Sequence, residues 1–164
     1  MKVKLTREKI LNTFANLQQL LGKENDYFFN GAIIKNKEKL ELMSKKIRKE
    51  LVQFEEMKNE LDNRRVAICK KYAKKDENGI AILINNNYEI SEENKEVFEK
   101  EIKPILEEGK NLQDKRQNYF EQEVEFEGFS IDSETIPSKM IGAQQEAISP
   151  FIVKGKSKNE ITIN

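Results

Sequence analysis

Ile80-Ala81-Ile82-Leu83-Ile84-Asn85-Asn86-Asn87-Tyr88-Glu89-Ile90 is the stretch on which the fold turns. Its branched apolar residues suit a pleated surface, and its three asparagines tolerate the positive φ that a tight hairpin requires, so it reads as strand, turn and strand. Asp76-Glu77-Asn78-Gly79, just upstream, has the composition of a turn and ends whatever precedes it. On both sides the apolar spacing becomes that of a helix. The predicted fold is therefore α+β and mainly helical: a long antiparallel helical hairpin with a β-hairpin at its tip.

Upstream, no proline or glycine interrupts residues 32–75, and Leu40, Ile47, Phe54, Leu61 and Ile68 recur at seven-residue intervals. That heptad row predicts one helix with a narrow apolar seam, roughly 55–65 Å long at 1.5 Å per residue. A second row is imperfect, with Met43 and Met57 on it and Leu51 and Tyr72 one place further on. Downstream, Ser91 with Asn94 is expected to cap a second long helix carrying Val97, Phe98, Ile102, Ile105, Leu106, Leu112 and Tyr119 at helical spacing. Pro104 is expected to kink it. Residues 35–75 hold 14 Lys/Arg against 7 Asp/Glu, whereas residues 91–127 hold 6 against 12. The opposite balances favour pairing of the two helices, with flanking charges selecting the register.

Further out, Thr6 is placed to cap a short helix with Ile10, Phe14, Leu17 and Leu21 on one face and Gly22 as its stop. Lys2-Val3-Lys4-Leu5 and Glu123-Val124-Glu125-Phe126-Glu127 both alternate with period two. Paired antiparallel, they set lysines opposite glutamates on one face and Val/Leu opposite Val/Phe on the other, closing a domain of residues 1–153. A short helix carrying Met140, Ile141 and Ile148 is expected over residues 138–149, stopped by Pro150, and residues 154–164 read as a flexible polar tail. The segment of residues 25–31, with Tyr27, Phe28 and Phe29, reads as an unusually aromatic connector that either covers the core or meets a partner.

Composition excludes much chemistry. With no histidine, His-based triads and the commonest zinc ligand are absent, and a single cysteine, Cys69, permits neither thiolate clusters nor an internal disulfide. Lys+Arg 29 against Asp+Glu 29 leaves a net charge of zero, so there is no broad basic field for a nucleic-acid backbone. No apolar stretch is long enough for a signal peptide or a membrane span. A reducing cytoplasm is the expected compartment, with Cys69 an inert packing residue.

Four constellations carry some chemical content. Glu92, Glu93, Glu96 and Glu99 cluster where a helix N-terminus favours acids in any case. Arg64, Arg65, Lys70, Lys71, Lys74 and Lys75 form a basic cluster near the hairpin, able to grip a phosphate or an acidic partner, or to pair with the acidic second helix. Asp76 and Glu77 lie where transcript-cleavage factors carry magnesium-binding acids on a helical hairpin, although turn chemistry alone accounts for them. Gly155-Lys156-Ser157 echoes a phosphate-binding loop but lacks its first glycine and a following helix. No catalytic, metal or cofactor residues are expected.

The order of elements resembles that of an uncharacterised family of bacteriophage proteins from low-GC bacteria. The resemblance runs over residues 1–153, through the N-terminal strand and helix and the Lys/Arg-rich residues 35–50. It continues through Tyr72-Ala73-Lys74-Lys75-Asp76-Glu77-Asn78-Gly79, Asn87-Tyr88-Glu89-Ile90, Val97-Phe98-Glu99-Lys100-Glu101-Ile102 and Glu123-Val124-Glu125-Phe126. It implies a phage origin, hence a host-cell cytoplasm, and assigns no enzymatic activity or functional residue. Helix, hairpin and helix also look like a prefoldin subunit, a likeness that the N-terminal strand and the residues after Phe129 do not share.

The resulting expectation is a non-catalytic protein-binding protein, either a virion assembly component or an inhibitor of a host enzyme or defence system. Its partner is a host or phage protein, or a second copy of the chain. The contact residues expected from sequence are Tyr27, Phe28, Phe29, Ile47, Leu51, Arg64, Arg65, Asp76, Glu77 and Tyr88. Leu40, Met43, Ile47 and Leu51 form either an intermolecular seam or a surface covered by the N-terminal helix of the same chain. The alternative function is a nucleic-acid accessory protein acting through the basic cluster.

Overall fold

The computed structural model describes residues 1–22 and 25–154; the expected polar tail and Gly155-Lys156-Ser157 lie outside them, apart from Lys154. The chain forms two compact units, Met1–Lys49 with the segment from Tyr119 onward, and Glu50–Asn118.

In the first unit, β1 (Lys2–Thr6) pairs antiparallel with β4 (Glu123–Glu127) in the predicted register, Lys2 opposite Glu127, Val3 opposite Phe126 and Leu5 opposite Val124. Alternation decides the two faces: Val3, Leu5 and Phe126 are buried, while Glu125 takes ion pairs from Lys2 at 3.0 Å and Lys4 at 3.7 Å. Thr6 then caps α1 (Arg7–Leu17), its hydroxyl accepting from the Lys9 amide at 3.2 Å. Ile10, Thr13, Phe14 and Leu17 face inward, and α1 packs on β1 and α4 (Gly142–Ile148). The helix ends at Leu17, earlier than the Gly22 stop expected. A tight turn follows, in which Gln19 and Leu20 donate to the carbonyls of Asn16 and Leu17; it buries Leu20 and leaves Leu21 outside.

The aromatic connector is instead the first turn of α2 (Tyr27–Tyr72). The Asp26 carboxylate accepts from the amides of Phe28 (2.8 Å) and Phe29 (3.1 Å), a capping bond that starts the helix five residues before the predicted start. Gly31 costs about 1 kcal/mol within a helix, which that cap and the burial of Phe29 and Ile33 offset. One turn beyond Ile33, the buried Asn36 amide donates to the Phe129 carbonyl at 2.7 Å, and its carbonyl accepts the Phe129 amide at 2.8 Å.

The C-terminal helix is shorter than predicted. Only Gly142–Ile148 is helical, with the Gln144 side chain accepting from the Ile141 amide, and Ile141 itself is exposed. Pro150 sits in a 3-10 turn, Ser149–Phe151, from which β6 (Ile152–Val153) continues to pair in parallel with β5 (Ile131–Asp132), a two-residue ladder that no periodicity announced. Phe151 closes the core edge-to-face on Phe126, ring centroids 6.3 Å apart. Gly128 is required here, because a Cβ would lie 2.9 Å from Val3 Cγ2 and 3.0 Å from the Phe151 ring.

In the second unit, the C-terminal part of α2 packs antiparallel on α3 (Lys95–Glu121), joined by β2 (Leu83–Ile84) and β3 (Asn87–Tyr88). Asn85 (φ 50°) and Asn86 (φ 64°) form the two-residue turn, one residue tighter than the three asparagines allowed for. α2 stops at Tyr72, short of Lys75, because the chain becomes extended to bridge Ala73 with Ile90 and Lys75 with Ala81. A 3-10 turn, Glu92–Asn94, precedes α3, and Ser91 accepts the Asn94 side-chain amide at 2.8 Å without making a backbone capping bond by its side chain. α3 continues through Pro104, which is exposed.

Candidate functional site

The residues expected as contacts do not form one site. In the first unit, Tyr27 and Phe28 are 84% and 75% exposed, their rings edge-to-face at 5.7 Å, whereas Phe29 is fully buried. Consecutive residues on a helix point about 100° apart, so a triple aromatic run cannot bury all three rings on one face. Ile47 and Leu40 are also buried within the single chain. They belong to the core of the first unit, and Leu51 is half-buried.

In the second unit the basic cluster is largely engaged by its own chain. Arg64 makes a bidentate pair with Glu108 at 2.7 and 3.1 Å. Seven residues on, Lys71 holds Glu101 at 2.8 Å, and the Tyr72 hydroxyl donates to the same carboxylate at 2.6 Å. Arg65 pairs with Asp62 within its helix at 3.5 Å, and Lys74 pairs with Glu89. The hydrogen bond from Lys71, reinforced by that from Tyr72, holds Glu101 below the usual carboxylate range, and the Arg64 guanidinium does the same for Glu108. The same bonds raise Lys71 and Arg64 above their ordinary values.

At the hairpin, Asp76 accepts from the amides of Asn78 and Ile80 at 2.9 and 2.8 Å, so its carboxylate organises the turn. Glu77 is exposed and Tyr88 half-buried. Among the described residues, no group of three or more His, Cys, Asp or Glu is placed to hold a metal ion, and this includes Glu92, Glu93, Glu96 and Glu99. Among the described residues, no helix is long and apolar enough to cross a membrane.

The feature that sequence reasoning missed runs along the same two helices, from near these ion pairs away from the hairpin. Between α2 and α3 runs a groove of about 450 Å³, floored by Phe54, Leu61, Ile105, Leu106 and Leu112. Its α2 rim carries Glu55, Lys58, Asp62 and Arg65, and Gln113 and Arg116 line its α3 side. Gly109 opens it: a Cβ there would touch nothing within 4 Å. The signal was present in the seven-residue series Ile102, Gly109, Arg116, which begins with a buried side chain, then offers none, then a charge. Val52, Met57 and Leu106 remain more than half exposed along this two-helix arm. Of these, Leu106 lines the groove, whereas Met57 lines a separate depression with Glu60, Arg64 and Glu108.

No family model, no curated protein and no solved structure matches the chain.

Proposed function

We propose that the protein is a non-catalytic protein-binding protein of phage origin, acting either in virion assembly or as an inhibitor of a host enzyme or defence system. The observation that carries this reading is the apolar groove of the two-helix arm. Helix pairs normally close their seam with a third or fourth helix, and among the described residues the groove along Leu61 and Leu106 is lined by α2 and α3 alone. A helix of a partner supplies that missing layer, and the charged rim gives it direction. Tyr27 and Phe28 are a second, smaller contact patch of the kind enriched at protein interfaces. Phage origin rests on the resemblance in element order described above.

The nucleic-acid alternative is weakened by the same ion pairs that organise the arm. Arg64, Arg65, Lys71 and Lys74 each already face a carboxylate, and the whole chain has no net charge.

Cross-linking in cells that express the chain, followed by mass spectrometry, tests the reading. The native chain is expected to trap a discrete protein species that Leu106→Asp loses while its circular dichroism stays native. A chain that traps nothing, or whose catch is indifferent to Leu106→Asp, overturns the arm as the binding element.

A further inference from the structure

We propose that the occupant of the arm groove is a second copy of the same arm, docked antiparallel across a two-fold axis to complete a four-helix bundle. This rests on the reading of the arm as a protein-binding element and names its partner. The argument comes from the charges on the α2 rim. Glu55, Lys58, Asp62 and Arg65 follow one another at steps of three, four and three, a spacing that is the same read from either end. Their signs run negative, positive, negative, positive, and inverting the helix reverses that order.

A copy laid antiparallel, centred about level with Glu60, therefore sets Glu55 against Arg65 of the second copy and Lys58 against its Asp62. By two-fold symmetry each contact occurs twice. A parallel copy sets Glu55 against Glu55 and Lys58 against Lys58, which like-charge repulsion disfavours. Within the chain, Glu55 and Lys58 enter no ion pair among the described residues, and Arg65 reaches Asp62 only at 3.5 Å across one helical turn. The stripe thus has charge to spend outside its own molecule.

The apolar floor fits the same occupant. Phe54 and Leu106 lie toward opposite ends of the groove, with Leu61 and Leu112 between them, so an inverted copy brings its Leu106 over the first copy's Phe54 and an equivalent floor over the rest. The space above Gly109 admits a side chain from the facing helix.

Sedimentation velocity of the purified full chain, from low to high micromolar, tests the pairing. The native chain is expected to shift from monomer toward dimer with concentration, and Leu106→Asp to remain monomeric with native circular dichroism. Lys58→Glu places like charges at both symmetric contacts and is expected to raise the dimer dissociation constant about tenfold. Adding Asp62→Lys to the same chain exchanges the two signs and is expected to bring the constant back to within about threefold of native. These two variants change exposed side chains only, so a misfolded Leu106→Asp does not remove the test.

A chain that stays monomeric at every concentration overturns the proposal, as does a dimer indifferent to Leu106→Asp, or a double variant no tighter than Lys58→Glu alone. A monomer that still traps a different protein through Leu106 overturns the second copy and leaves the binding role standing. A monomer that traps nothing removes both.

Discussion

Asn36 and Phe129 exchange two hydrogen bonds through a side chain that is fully buried, and each bond ties α2 to the strand region after β4. Replacing Asn36 with Ala leaves a backbone amide and a carbonyl without partners in a place water reaches poorly, a loss of about 2 kcal/mol or more. Asn36→Asp keeps the acceptor for the Phe129 amide but faces the Phe129 carbonyl with a second oxygen, so its loss is expected to be no smaller at neutral pH. Urea unfolding of the three chains measures both, with an unchanged m value showing that stability alone has moved. Nothing in the helical spacing around Asn36 announces this role, since an asparagine on a heptad-patterned helix reads as surface until its partner 93 residues away is known.

The elements separate what periodicity can carry from what it cannot. The β1–β4 register followed from Lys2, Lys4, Glu125 and Phe126 because a period of two leaves only one pairing that buries every apolar side chain. The hairpin followed from asparagines able to adopt positive φ. The start of α2 did not, because it depends on one Asp26 carboxylate, and the β5–β6 ladder is too short to show a period. The groove escaped for a different reason: heptads locate a seam, but its width depends on Gly109, next to the Glu108 that pairs with Arg64, offering no side chain to the facing helix. The paired carboxylates of the arm also set its response to pH. Glu101 and Glu108 have folded-state pKa values below those of the unfolded chain, so their contribution is complete above about pH 4.3 and is lost as pH falls through and below that value. Lys71 and Arg64, shifted upward, keep their contribution until strongly alkaline pH. Unfolding midpoints of the arm are therefore expected to decline as pH falls below about 4.3, and the double variant Glu101→Gln, Glu108→Gln to flatten that decline while lowering the neutral-pH value. An equally steep decline in the variant shows that other carboxylates govern it.

For the whole molecule, burial is unevenly divided. The first unit buries Phe29, Ile33, Phe126, Phe151 and most of one face of α1, whereas within Glu50–Asn118 the buried large side chains are Tyr72, Ile102 and Ile105. Amides with few buried neighbours open at lower free energy, so hydrogen exchange at high dilution is expected to be faster in residues 50–70 than in α1 and β1, and to slow there as concentration rises. Equal protection in both segments at every concentration contradicts this. The pairing of β1 with β4 has a consequence for how the chain is made. The Met1 ammonium donates to the Gly128 carbonyl, 127 residues away, so a ribosome works for on the order of ten seconds between releasing one strand and releasing its mate. Throughout that interval β1 is an orphan edge, the kind of segment that recruits strands from neighbouring nascent chains. Lys2 and Lys4 repel an identical strand on a neighbouring polysome product, and later meet Glu125 in their own. The two lysines guard the strand before they hold it.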